Sequence, residues 1–308
     1  MTTNNTKVSI LIPTYNAREL WIEVMNSIDS QTCNFYKKIV IDSSSTDDTP
    51  QVAKNHGFEV IGIKKNDFNH GATRQQLIDA CADSDICLLL TQDAVLASTD
   101  SVEHIVNAFG DPDVGMAYGR QLPNPNAKAL EKHARLFNYP SLSAVVSIED
   151  FEKLGFKIFF CSNSFAAYRK SALLAVGGFP SNSIMGEDAI VAAKMLSSGF
   201  KKAYVADATV YHSHSYTFTE EFKRYFDTRV FHEQNAWMLE KYGKPTGEGL
   251  RFIKSELRFA MQHSPLHIFQ SLASISAKWL GYSTGSFFKK IPKNLLKKLS
   301  MHSFYWEQ

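Results

Sequence analysis

Residues 8–16 read VSILIPTYN: four aliphatic residues and one serine, a proline, then threonine, tyrosine and asparagine. An apolar run without polar alternation belongs to a strand covered on both faces, as in parallel sheets. The proline has no N–H for a ladder, so it closes the run. The same grammar repeats downstream. Residues 38–41, 58–63 and 86–90 form further apolar runs, and residues 19–30, 48–55 and 71–81 between them carry helical spacing. Strand and helix in alternation predict an α/β fold with a mostly parallel central sheet flanked by helices.

In open α/β sheets, ligands sit outside the carboxyl ends of the strands. The residues just after each apolar run are therefore the ones to inspect. They are Pro13, Thr14, Tyr15 and Asn16; Asp42, Ser43, Ser44 and Ser45; the loop 66–71; and Thr91, Gln92 and Asp93. All four sets are polar, and Asp42 and Asp93 place a carboxylate at a strand tip. The second part is less regular. Residues 114–118 read as a strand, 124–138 as a helix or mobile segment, 156–168 as one or two strands, and 187–198 as a helix. A strand at 203–205 leads to Tyr211, His212, Ser213 and His214, and helical patterns follow at 220–242, 250–262 and 266–280.

Composition narrows the class. A chain of 308 residues with 44% hydrophobic and 21% charged residues is an ordinary globular protein, which excludes disordered, collagenous and coiled-coil readings. Cys33, Cys81, Cys87 and Cys161 are scattered without a C-x-x-C pair, the pattern of reduced thiols in a cytosolic protein. The N-terminus lacks the features of a signal peptide, and no apolar run approaches the ~18 residues that cross a bilayer. Charge is uneven. Between residues 257 and 306 there is no Asp or Glu but seven Lys or Arg, which leaves the remainder of the chain net acidic.

VSILIPTYN, then IVIDSSSTDDT at 39–49, a strand followed by Gln92-Asp93, GGF at 177–179 and MGED at 185–188 occur in one order and spacing. Over residues 7–215 this pattern resembles the inverting glycosyltransferases of family 2, which have the GT-A fold and use nucleotide-sugar donors. DFNHGATR at 67–74 and KKLSMHSFYW at 297–306 narrow the likeness to bacterial rhamnosyltransferases of polysaccharide assembly, which use dTDP-L-rhamnose.

From the residues alone, Asp42 either caps the following turn or accepts a hydrogen bond from a ligand. The resemblance implies the second: Asp42 holds the nucleotide base, in a pocket lined by Pro13, Thr14, Tyr15, Asn16 and Ser44. Family members carry D-x-D after the fourth strand, its second aspartate binding a divalent metal, Mg²⁺ or Mn²⁺, on the donor diphosphate. Here the triplet is Thr91-Gln92-Asp93, so Asp93 alone matches, beside Gln92. One carboxylate can suffice, because Mg²⁺ keeps several waters and takes one or two carboxylates plus phosphates. His212 or His214 stands where the family often has a metal-side histidine, and imidazole favours Mn²⁺. Both histidines read equally as loop residues anchoring the next helix.

Inversion requires a base that takes the acceptor's proton opposite the leaving group. Asp188 matches the family's base and Glu187 its neighbour, although two acids at a helix start also suit the helix dipole. His70, Gly71 and Arg74 open a helix whose free N–H groups and guanidinium favour a diphosphate, unless His70 merely caps the helix and Arg74 lies on its solvated face. Tyr216, Phe218, Phe222, Tyr225 and Phe226 read as core packing.

In the tail, Leu295, Leu296 and Leu299 share one face of a helix starting near Pro292, among lysines. Such a helix lies on an anionic membrane surface or is simply solvated. No nucleic-acid motif accompanies it. The expectation is a catalytic domain at 1–245 and a basic helical extension at 246–308. It is a cytoplasmic enzyme at the inner face of the membrane, transferring rhamnose to a saccharide acceptor carried on lipid. The alternatives are a UDP-sugar donor, or a silent GT-A-like binding subunit.

Overall fold

The computed structural model describes residues 6–243 and 247–307. The continuous apolar runs become the middle of the sheet: β1 (Val8–Thr14) lies between β2 (Lys37–Asp42) and β4 (Ile86–Leu90), and every residue of β4 is buried. β3 (Glu59–Gly62) follows on the outside of β2, and these four strands are parallel. The crossovers run through α1 (Leu20–Asp29), α2 (Thr49–Asn55) and α3 (His70–Ala80).

The other half of the sheet is built from β5 (Val95–Leu96), β6 (Val114–Leu122), β7 (Ala144–Val146), β8 (Phe165–Arg169) and β9 (Lys201–Tyr211). The order is β3-β2-β1-β4-β8-β6-β9-β5, with β7 also on β9. β8 is antiparallel to both neighbours, β6 and β9 are parallel, and β5 pairs antiparallel with the end of β9. Around it lie α4 (Ser101–Asn107), α5 (Ala129–Asn138), α6 (Phe151–Leu154), α7 (Lys170–Ala175) and α8 (Glu187–Ser197).

Two apolar clusters cover the two faces of the sheet. A third is helical. It joins Ile158, Phe159 and Ile190 to Phe226 and Val230 of α9 (Phe218–Gln234), Met238 of α10 (Ala236–Tyr242) and, from the chain's end, Leu296 and Trp306. Its demand for apolar residues explains one departure from the sequence reading. Of residues 156–168, expected as one or two strands, only β8 is a strand; Gly155–Phe159 turns as a 3₁₀ helix that delivers Ile158 and Phe159 to this cluster.

α11 (Glu248–His263) and α12 (Pro265–Gly285) pack beyond α9. Gly281 and Gly285 let α12 approach closely: a Cβ at Gly281 would stand 2.1 Å from the Phe222 carbonyl oxygen, and one at Gly285 2.7 Å from that of Phe226. The tail then folds back. In α13 (Lys293–Leu299) most of the leucine face turns inward, with Leu296 buried and Leu299 packed on the third cluster, while Leu295 stays exposed. The Met301 N–H donates to buried Asp227 at 2.8 Å. The domain boundary expected between residues 245 and 246 lies outside the described residues; chain on both sides of it builds the third cluster. Among the described residues, no helix is long and apolar enough to cross a membrane.

Candidate active site

At the β1 and β2 tips, a polar net forms where the parallel register brings Thr14 opposite Asp42. The Thr14 hydroxyl and the Ser45 hydroxyl both donate to Asp42 Oδ1, at 3.0 and 2.5 Å, and the Ser45 N–H donates to Oδ2 at 2.8 Å. Asp42 is buried and thus braces its own loop, with one lone pair of Oδ2 left for a ligand. Asn16 and Ser44 hold positive φ, 44° and 63°, backbone strain of the kind found at ligand-binding loops. Half-exposed Tyr15 carries Lys65 Nζ 2.8 Å from its hydroxyl, while Pro13 completes the strand beside Ile41. Gln92 does not point outward: its amide accepts from Tyr15 N–H at 2.7 Å and donates to Tyr15 C=O at 3.1 Å.

The next residue, Asp93, meets the histidines because β5 pairs with β9, setting Val95 opposite Tyr211. His212 Nε2 lies 3.4 Å from Asp93 Oδ1, His214 Nε2 lies 3.6 Å from Oδ2, and the two Nε2 atoms are 3.1 Å apart. Burial works to raise the pKa of Asp93, but the hydrogen bond and charge of His212, with His214, hold it well below the usual carboxylate range. His214 is pushed down to about 4 by burial and by His212. One carboxylate and two imidazoles within 4.8 Å suit a divalent ion. Gln121 orients the set: its Oε1 accepts from Arg135 at 2.7 Å and faces His212 Nδ1 at 3.0 Å, an acceptor that keeps a proton on Nδ1 and would leave Nε2 as the ligand atom with a metal in place of its contacts to Asp93 and His214.

The acidic pair begins α8. Gly186 stands at φ 72° just before it, where a Cβ would lie 2.8 Å from the Phe231 ring. Buried Glu187 is held by Arg74 Nη1 at 3.1 Å and Asn163 Nδ2 at 2.9 Å. Asp188 accepts from its neighbour Ala189 N–H at 2.8 Å and from Asn163 N–H at 3.2 Å. Burial, and then the like charge of Glu187, raise Asp188 to about 7. A partly buried carboxylate with that value is poised to take a proton near neutrality.

The α3 start differs from the reading. Asn69, and not His70, caps the helix, accepting from Gly71 N–H and Ala72 N–H at 3.0 Å each, so two of the expected free donors are occupied. Gly71 is required by packing, since a Cβ would stand 1.8 Å from the Pro180 carbonyl oxygen. Arg74 is buried against Glu187 and the His70 carbonyl, and not on a solvated face; its Nε has no partner among the described residues. His70 Nε2 meets His302 Nδ1 of the C-terminal segment at 3.3 Å.

The loop before β8 had carried no signal in the sequence, yet it joins these groups. Gln121 Nε2 donates to Ser162 Oγ at 2.8 Å, the adjacent Asn163 holds both acids, and the Ser164 carbonyl accepts from Thr91 N–H at 3.3 Å. Three sets of polar groups are thus linked at the strand tips: the net around Asp42, a carboxylate and two imidazoles that could hold a divalent ion, and a carboxylate of raised basicity.

Residues 9–177 match the model of glycosyl transferase family 2, more than half of the chain, and the chain belongs to that family. It is a glycosyltransferase with the GT-A fold. Two relatives match along nearly their whole length. The O-antigen chain rhamnosyltransferase RfbN of Salmonella typhimurium is 45% identical over 301 residues, covering 97% of this chain and 96% of RfbN. WbaN of Salmonella anatum, described in the same words, is 42% identical over 299 residues, covering 97% and 95%. Among solved structures, the mannosyltransferase PcManGT of Pyrobaculum calidifontis with GDP-Man and Mn²⁺ shares the fold at TM-score 0.58 and 17% identity, covering 99% of this chain and 86% of that one. S. aureus TarS with UDP-GlcNAc does so at TM-score 0.56 and 17% identity, covering 96% and 84%.

Proposed function

We propose that this enzyme transfers L-rhamnose from dTDP-L-rhamnose to a saccharide acceptor carried on lipid, with inversion, during O-antigen assembly. The observation that carries the reading is full-length identity of 45% and 42% to two O-antigen rhamnosyltransferases. Asp42, with Thr14, Tyr15, Asn16 and Ser44 around it, receives the thymine base. Asp93, His212 and His214 hold a divalent ion, which when bound supplies positive charge against the diphosphate. Mn²⁺ is favoured over Mg²⁺ by the two imidazoles. Arg74, whose Nε lacks a partner among the described residues, adds a charge-assisted contact to the diphosphate and keeps Glu187 ionised.

Asp188 then performs the proton step. As the acceptor oxygen bonds to the anomeric carbon, the carbon–oxygen bond to the diphosphate breaks, dTDP departs with that electron pair, and the hydroxyl proton passes to Asp188. The enzyme works in the cytoplasm at the inner face of the membrane, where the basic C-terminal part meets anionic lipid. A donor screen by thermal shift with and without Mn²⁺ tests the reading: dTDP and dTDP-L-rhamnose stabilise the protein, and stabilisation by UDP-sugars instead sinks the donor assignment.

A further inference from the structure

The third helix of the C-terminal packing, α12, is apolar on both sides. Its glycines press on α9, while Phe269, Leu272, Trp279 and Leu280 stand 70%, 47%, 67% and 50% exposed on the other face. Their spacing, at positions i, i+3, i+10 and i+11 with Ser276 between, makes one helical stripe. Within α12 the one charged residue, Lys278, turns away from solvent toward Glu221 at 3.6 Å and Glu256 at 3.7 Å. Beside the stripe, Tyr225, Phe252, Ile253, Ile275, Trp279 and Leu280 help to line an apolar cavity of about 580 Å³. Immediately after α12 come exposed Phe287 and then exposed Lys289 and Lys290, in a stretch with no acidic residue from 257 to 306.

We propose that the α12 stripe and the basic segment following it dock the enzyme on an anionic phospholipid surface, with Trp279 and Phe269 entering the headgroup boundary. Aromatic residues settle at that depth, and lysines beside them gain from anionic headgroups. A second copy of the chain fits less well. An isologous contact would set the same unbalanced positive charge on both partners, with no acid to answer it. The inference builds on the membrane association proposed above, and places the main apolar contact on α12, because among the α13 leucines only Leu295 is exposed.

The test is flotation of the full chain with phosphatidylcholine vesicles, with and without phosphatidylglycerol, alongside size-exclusion light scattering and thermal shift by dTDP. Wild type floats with the anionic vesicles, and F269S/W279S cuts the bound fraction at least ~tenfold at unchanged melting temperature and dTDP shift, as loss of two interfacial aromatics requires. K289Q/K290Q weakens binding and its salt dependence. Wild type that floats with neither vesicle overturns this proposal and membrane association together. Loss in K289Q/K290Q with full binding by F269S/W279S overturns the α12 contact alone. A dimer that F269S/W279S dissociates assigns the stripe to a second copy and refutes the proposal. A missing dTDP shift with intact flotation counts against the donor assignment only.

Discussion

Replacing Asp188 by Asn tests the base directly and makes two predictions of opposite sign. Asn keeps the size of the side chain and one acceptor oxygen, which can still take the Ala189 N–H that Oδ1 accepts at 2.8 Å, while its NH2 group replaces the Oδ2 that Asn163 N–H reaches at 3.2 Å. What is lost is proton acceptance, which as general-base catalysis is worth about 10²- to 10⁴-fold in rate, or about 3 to 5 kcal/mol of barrier. Wild-type kcat/KM falls with decreasing pH below about 7, because Asp188 must be ionised and burial with Glu187 raises it to that value. The stability effect runs the other way. A carboxylate whose folded value is raised binds more protons in the folded state, so its contribution to stability declines as pH rises from about 4 to about 7. Asp188→Asn therefore loses that part of the pH dependence, its melting temperature changing less than that of wild type between about pH 4 and about pH 7. Initial rates of dTDP release with acceptor, at saturating donor and from pH 5.5 to 8.5, together with melting curves, measure both. A variant that keeps more than ~10% of the wild-type rate, or a wild-type profile flat across that range, refutes the assignment.

The metal triad predicts that Mn²⁺ raises the wild-type melting temperature, by the equivalent of about 2.7 kcal/mol at a hundredfold excess over Kd, and that Asp93→Ala and His212→Ala lose the shift. EDTA removes activity and Mn²⁺ restores it in wild type; equal metal shifts in the variants would refute the ligand set. Asp42→Asn loses a charged acceptor and unties the Ser45 loop, raising the donor KM about tenfold or more with a smaller effect on kcat, read from initial rates. Gly71→Ala forces a Cβ onto the Pro180 carbonyl and costs about 1 to 3 kcal/mol in urea unfolding, with no change in m; an unchanged midpoint would refute the close approach.

The parallel half of the fold was legible because β1, β2 and β4 are buried on both faces and so written as uninterrupted apolar runs. Chain polarity then pointed to their tips, and the structure does gather Thr14, Asp42, Gln92 and Asp93 there. The acidic pair at the α8 start was legible for the same local reason: a glycine in the left-handed region just before it sets the turn. What the pattern did not carry were partners chosen by tertiary contact. Gln121 and Asn163 are ordinary polar residues in sequence, and only the β6, β8 and β9 register makes one an imidazole acceptor and the other a clamp on two acids. The ion pair of Arg74 with Glu187, more than a hundred residues away, was likewise beyond what periodicity carries. The tail helix was ambiguous: a leucine face beside lysines describes a core contact as well as an interfacial one, and the fold packs Leu296 and Leu299 into the third cluster while leaving Leu295 exposed.

Gln92 occupies the middle of the triplet that ends in Asp93, and its amide grips both main-chain groups of Tyr15. That double grip makes the base-side tip of β1 and the cation-side tip of β4 one mechanical piece. A tilt of Tyr15 as a nucleotide settles is carried, without passing through solvent, to the residue next to the metal carboxylate. With the nucleotide and cation placed as proposed, the two grips are geared together, and Gln92→Ala is expected to loosen both at once.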